Sequence, residues 1–302
     1  SKALMHSAIK QISDIFNVLE SEITFTAGAT MSNNLALIGT ALANMKYGNH
    51  ILVSKLEHPS IYNICKYLEN IGFEIGYINN TSDGLIDFDD LKRQMREDTI
   101  LVTVCAVNSE MGIRQPLKII RKIIKKENPH TFLLCDMTQA LGKIPVNFHD
   151  VDLASATAHK IYGPKGIGLF YKNSRVPFTP LLYGSGSVNM YNPGTPPVPL
   201  IVAFSKAIRL ATVDLDKREN FIKRLNEKIV NELKKYDGIK INQTKICIPQ
   251  ILNISFDHIK AETFLHALEE YEIYVSTNTA CSSGEVSTAV MAVYNDKKRA
   301  SS

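Results

Sequence analysis

Apolar residues fall along the amino-terminal part of the chain in two alternating patterns. Residues 23–26, 51–54, 100–104, 132–134 and 153–157 are short runs of apolar, β-branched and small residues, which predict strands. Between them, residues 33–45, 60–70, 88–95 and 117–126 carry apolar positions at helical spacing. Continuous apolar strands separated by helices predict an α/β fold, a mostly parallel sheet covered on both faces. Sheets of this kind place ligands at the carboxyl ends of their strands, which directs the search for chemistry. After about residue 197 the texture changes to a long helical stretch at 198–236, a strand at 250–256, a helix at 262–271 and a short strand at 273–275. This predicts a large domain over residues 1–205 and a smaller α+β domain over 206–302. No internal repeat or low-complexity segment interrupts either part.

Composition narrows the function classes. The chain has 302 residues, 45% of them hydrophobic, enough for a substantial core. A net charge of +4, spread evenly, indicates neither a nucleic-acid partner nor a membrane surface. The densest basic run, Arg121, Lys122, Lys125 and Lys126, is interleaved with Ile119, Ile120, Ile123 and Ile124, so it predicts the solvated face of a helix. Five cysteines without paired spacing argue against a disulfide framework and against a metal site. Cys65, Cys105 and Cys135 sit among apolar neighbours and are expected to be buried. With no membrane-length apolar run and no signal peptide, the expected compartment is the reducing cytoplasm. The first residue is Ser rather than Met, so an amino-terminal piece is expected to be missing.

Individual residues at predicted strand ends suggest a chemistry. Lys160 follows the 153–157 strand and precedes the turn Gly163-Pro164-Lys165-Gly166. A lysine desolvated there is a Schiff-base candidate, although a lysine near a turn is more often simply solvated. Asp136 ends an apolar strand, where a carboxylate could pair with a pyridinium nitrogen or merely cap the next turn. Thr138 and Gln139 follow it, within reach of the same ligand. The segment Thr26-Ala27-Gly28-Ala29-Thr30 runs from strand into helix, offering backbone amides and a hydroxyl to a phosphate. His58 lies just beyond the 51–54 strand, placed to stack on a flat ring, shuttle protons or stay plainly at the surface. Cys281, in Asn278-Thr279-Ala280-Cys281-Ser282-Ser283-Gly284, has the most polar setting of the five cysteines and is the candidate nucleophile.

These segments occur in the order of a known family. TAGATMSNNLAL, LEHPSIYN, AVNSEMGIRQP, CDMTQALGKIPV, SATAHKIYGPKGIG and NTACSSG resemble motifs of the cysteine desulfurases of the NifS/IscS type. That group lies within the class V aminotransferases of pyridoxal-phosphate (PLP) fold type I. The resemblance implies PLP as cofactor, L-cysteine as substrate and L-alanine as product, with sulfur carried as a persulfide. It implies that Lys160 binds PLP and shuttles a proton, and that Cys281 carries the sulfur. Asp136 would pair with the ring nitrogen, Gln139 would contact the ring hydroxyl, and His58 would stack on the ring. Ser109 stands in the segment that touches cofactor or substrate. Ala29, Thr30, Thr157 and His159 would hold the phosphate, with Thr195 reaching the phosphate of a neighbouring subunit. A homodimer follows, as does a sulfur-acceptor protein serving iron–sulfur clusters or tRNA thiolation.

The chain departs from the family pattern in four places. Ser109 replaces the second asparagine of VNNE(I/T)G, and Asn189 and Asn192 stand where arginines are common. A DNAATT-like segment would precede the first residue, and an SIR-like segment would follow Arg299-Ala300-Ser301-Ser302. The arginine of that second segment clamps the substrate carboxylate in the family, with each charged hydrogen bond contributing about 1.5–3 kcal/mol. The chain is therefore expected to be trimmed at both ends. Two other readings stand beside the desulfurase. One is a related PLP enzyme, such as an aminotransferase or selenocysteine lyase; the other is a non-catalytic homologue acting as a scaffold.

Overall fold

The computed structural model describes residues 2–185, 190–257, 259–277 and 286–302. Helix α1 (Lys2–Phe16) leads to strand β1 (Ile23–Thr26), α2 (Ala29–Asn44), β2 (His50–Ser54), α3 (Pro59–Asn70), β3 (Glu74–Ile78) and α4 (Phe88–Gln94). Then come β4 (Thr99–Cys105), α5 (Leu117–Glu127), β5 (Phe132–Asp136), β6 (Leu153–Thr157) and β7 (Gly168–Lys172). These strands form a seven-stranded sheet in the order β1-β7-β6-β5-β4-β2-β3, parallel except that β7 runs against both its neighbours.

Alternation along the strands explains why they read as continuous apolar runs. Leu52, Val102, Val104, Leu133, Cys135, Ala154 and Ala156 belong to one core with α1 and α5. Ile51, Val53, Leu101, Leu134 and Leu153 join a second core with α2 and α3. Both faces of the sheet are thus buried, as the pattern predicts for parallel strands.

The carboxy-terminal part holds α6 (Val198–Thr212), α7 (Leu215–Leu233), β8 (Ile239–Ile241), β9 (Ile254–Phe256), α8 (Ala261–Glu269), α9 (Thr288–Tyr294) and α10 (Lys297–Ala300). Strands β8 and β9 pair antiparallel in a separate two-stranded sheet. The single long helix expected over 198–236 is two helices. Asp214 breaks it in a left-handed conformation (φ 52°), and Arg218 satisfies the end of α6 by donating to the carbonyls of Leu210 and Ala211. The strand expected at 250–256 is confined to its last three residues, and residues 273–275 form no strand. Ala289, Val290 and Ala300 from α9 and α10 pack on Leu56, Cys105, Met111 and Ile113, bringing this part over the strand ends. Among the described residues, no helix is long and apolar enough to cross a membrane.

Candidate active site

The parallel strands and β1 all point their carboxyl ends to one edge of the sheet, and His58, Asp136, Thr157 and the start of α2 lie at that edge. The first group surrounds the start of α2. Gly28 provides the cap position but no side-chain cap, so first-turn amides of a 16-residue helix remain free to donate. Ala29 and Thr30 occupy that first turn, and Thr30 is exposed. Across from them lies Thr157, whose Oγ1 would stand 3.9 Å from a Cβ placed on Gly28. Thr157 Oγ1 also meets His159 Nδ1 at 3.0 Å and donates to the Ile167 carbonyl at 3.2 Å. Helix amides, a hydroxyl and an imidazole therefore converge on one small volume.

The second group is a hydrogen-bonded chain on the floor of the site. Asn33, buried in α2, donates from Nδ2 to Asp136 Oδ2 and to Ser60 Oγ, each at 3.0 Å. Ser60 Oγ in turn lies 2.9 Å from His58 Nδ1. The Ser60 amide donates to that same Nδ1 at 3.1 Å, which makes Nδ1 an acceptor and places the proton of the neutral ring on Nε2. Burial lowers the pKa of His58, Asp136 acts to raise it, and Lys160 adds to the lowering. Asp136 is 6% exposed, and its Oδ1 accepts the Thr138 amide at 2.9 Å. Of the two roles considered for Asp136, the Thr138 bond shows that it caps the next turn, while Oδ2 is engaged by Asn33.

Lys160 sits on a 3-10 turn (Ala158–Ile161) directly after β6. It is exposed, the solvated setting more usual for a lysine beside a turn rather than the desolvated one a Schiff-base lysine would favour, because the turn carries it out beyond the sheet edge. The half-buried amine nearby is Lys143, whose pKa is pushed down to about 8 by burial and then by the charge of Lys160. Lys143 Nζ donates to Gln139 Oε1 at 2.8 Å. Ser109 is half-buried after β4, whereas Thr195 is exposed ahead of α6. Asn192 donates from Nδ2 to the Phe25 carbonyl of β1 at 2.8 Å. Cys281 and Asn189 lie outside the described residues. The carboxyl-side border of the Cys281 segment is held by Glu110, which accepts from the hydroxyls of Ser287, the cap of α9, and Thr288.

Burial fixes the chemistry of the other thiols. Cys105 and Cys135 are raised well above the usual thiol range by burial and then by Glu57, and Cys65 is pushed up to about 12 mainly by burial. None of the three can supply a thiolate near neutrality.

The polar groups fit a pyridine ring bearing a phosphate and an aldehyde. Uncapped helix amides suit the phosphate dianion, Asp136 suits a protonated ring nitrogen, and Lys160 offers a primary amine. Around Asp136, Asn33 Oδ1, Thr138 Oγ1 and Ser155 Oγ are buried without a hydrogen-bond partner, as expected of a site shaped for a polar ligand. Asn33 and Ser60 were not among the sequence candidates. Their signal was a polar side chain on the buried face of each helix, in register with apolar neighbours.

A mostly parallel sheet covered on both faces, with polar groups gathered at its carboxyl edge, is the architecture of the PLP fold type I proteins. The chain belongs to the class V aminotransferase family, whose model matches residues 1–301. It is 38% identical over 284 residues to the cysteine desulfurase IscS of Buchnera aphidicola subsp. Schizaphis graminum, covering 92% of this chain and 69% of that protein. It is 37% identical to the mitosomal cysteine desulfurase of Encephalitozoon cuniculi, over 95% of this chain and 67% of that one. Among solved structures, a NifS-like protein superposes with a TM-score of 0.93 at 33% identity, covering 99% of this chain and 80% of the other.

Proposed function

We propose that this protein is a PLP-dependent cysteine desulfurase, converting L-cysteine to L-alanine and passing the sulfur through a persulfide on Cys281. The observation that carries the reading is the hydrogen-bonded chain from Asp136 through Asn33 and Ser60 to His58, set between the α2 amides and Lys160. The similarity to cysteine desulfurases supports the same reading.

In this reading Lys160 holds the cofactor through its Nζ, and Asp136 keeps the ring nitrogen protonated. Ala29, Thr30, Thr157 and His159 bind the phosphate, Gln139 contacts the ring hydroxyl, Ser109 borders the ring, and His58 faces it. When bound, PLP serves as an electron sink for negative charge developing on the substrate carbons. Asn33 orients Asp136 by occupying Oδ2, and Ser60 fixes the His58 ring with its proton on Nε2. Lys160 Nζ moves protons to and from the substrate. The Cys281 thiolate attacks the substrate sulfur, so that the substrate C–S bond breaks, an S–S bond forms and a proton completes alanine. The persulfide then leaves for an acceptor protein of iron–sulfur cluster or tRNA-thiolation chemistry.

Thr195 reaches the phosphate of a neighbouring subunit, in a homodimer of large domains spanning 1–205 and smaller domains spanning 206–302. The cytoplasm is the proposed compartment, in keeping with free thiols at Cys65, Cys105, Cys135 and Cys247. The assignment is tested by adding PLP to the wild-type chain and to Lys160→Ala. Wild type is expected to develop a visible absorption band that the variant lacks; an equal band in both would remove Lys160 from its role.

A further inference from the structure

Lys143 has an arrangement that the proposed reaction does not by itself require. It belongs to a compact turn in which the amides of Ala140 and Leu141 donate to the Met137 carbonyl at 3.0 and 2.9 Å. The amides of Lys143 and Ile144 donate to the Ala140 carbonyl, both at 3.0 Å. That helical spacing puts Gln139 and Lys143 on one face, four residues apart. The turn is wedged against the lysine turn. A Cβ on Gly142, which has φ +71°, would meet Ile161 Cγ2 at 3.0 Å and Ala211 Cβ at 2.7 Å. Gln250 ties the turn down from the carboxy-terminal part, donating from Nε2 to the Lys143 carbonyl at 2.9 Å.

The side chain of Lys143 is half-buried and takes part in no ion pair among the described residues. Its polar contact is the 2.8 Å donation to Gln139 Oε1. An ammonium group only donates, so the atom facing it must be the amide oxygen, and the Gln139 amide cannot flip without losing the bond. The remaining end of Gln139, the Nε2 amino group, is a pure donor.

We propose that Lys143 is a positioning residue that locks the Gln139 amide with Nε2 as a donor toward the site, so that the site selects a ring bearing an anionic oxygen. The inference rests on the proposed cofactor reading and deepens it. It names the group that decides whether Gln139 donates or accepts, and hence which ionisation state of the ring hydroxyl is held. The cationic Lys143 favours the same outcome electrostatically, since its charge lies behind the donor and stabilises the anion in front of it. The pKa of Lys143 is displaced downward first by burial and then by the nearby Lys160, which agrees with the two turns being in contact.

The test compares two ring compounds on the full chain freed of cofactor: PLP and its 3-deoxy analogue, which lacks the ring hydroxyl. Binding is followed by absorbance titration for wild type, Lys143→Met and Lys143→Arg. Lys143→Met is expected to lose about tenfold in affinity for PLP, the order of one hydrogen bond involving a charged group. It should bind the deoxy analogue as wild type does, and Lys143→Arg should bind both as wild type does. Equal losses for both compounds in Lys143→Met would show a general packing role and overturn the proposal, as would no loss for either. A wild-type chain with no Lys160-dependent band would sink the cofactor reading and this inference together. A normal wild-type band with an unaffected Lys143→Met would sink only the inference.

Discussion

Glu57 stands immediately before His58, is 4% exposed, and forms no well-made hydrogen bond at either carboxylate oxygen. Burial and then the charge of Asp136 push its carboxyl well above the usual range, against a smaller opposing effect of the Cys105 backbone. Folding therefore favours the neutral form of this carboxyl over the ionised one. A raised folded pKa gives a contribution that is complete below the unfolded value of about 4.3 and is lost as pH rises toward the folded value. Glu57→Gln keeps the shape and removes that loss, so it is expected to melt with wild type near pH 4 and several degrees higher near pH 8. A melting difference independent of pH would contradict this account of Glu57. Residues of this kind are the hardest to read in a sequence. Asp136 and Lys160 sit at strand ends, where a topological rule draws attention, whereas Glu57, Asn33 and Ser60 matter through what burial does to them. For Lys160 the sequence left desolvated and solvated settings open, and the direction of a four-residue 3-10 turn decides for the solvated one.

At the scale of elements, the strands β1, β2, β4, β5 and β6 were legible because burial on both faces removes polar residues from them. Strand β3 lies at the sheet edge with Glu74 and Tyr77 exposed, and the pattern weakens accordingly. Strand β7 was hidden by the glycines before it. One of them has a steric reason: a Cβ on Gly168 would lie 2.6 Å from the Gly28 backbone and 2.7 Å from the Ala156 carbonyl. The β1–β7–β6 crossing thus brings the start of α2 against Thr157, and the proposed phosphate cradle would depend on that approach. Gly168→Ala is expected to cost about 1–3 kcal/mol, typical of overpacking, and to weaken cofactor retention. Denaturant midpoints matching wild type would show that the crossing can yield. The break between α6 and α7 escaped the sequence for a different reason: neither Gly nor Pro marks it, and Arg218 supplies the missing hydrogen bonds from a turn away.

For the whole molecule, the fold class was legible from the alternation of strands and helices, and the candidate site was proposed from the order of its segments along the chain. The carboxy-terminal part gave less, since α8 buries no residue and α7 buries only Asn226, leaving little amphipathic contrast to read. That part nevertheless closes on the strand ends through α9 and α10, with Glu110 of the site holding the cap of α9. The most direct test is the release of L-alanine from L-cysteine by the 302-residue chain supplied with PLP and a thiol reductant, beside Cys281→Ala. Wild type is expected to form alanine over multiple turnovers, while Cys281→Ala binds the cofactor equally and forms almost none. A wild-type chain that binds PLP yet releases no alanine, or a Cys281→Ala variant that matches it, would contradict the account.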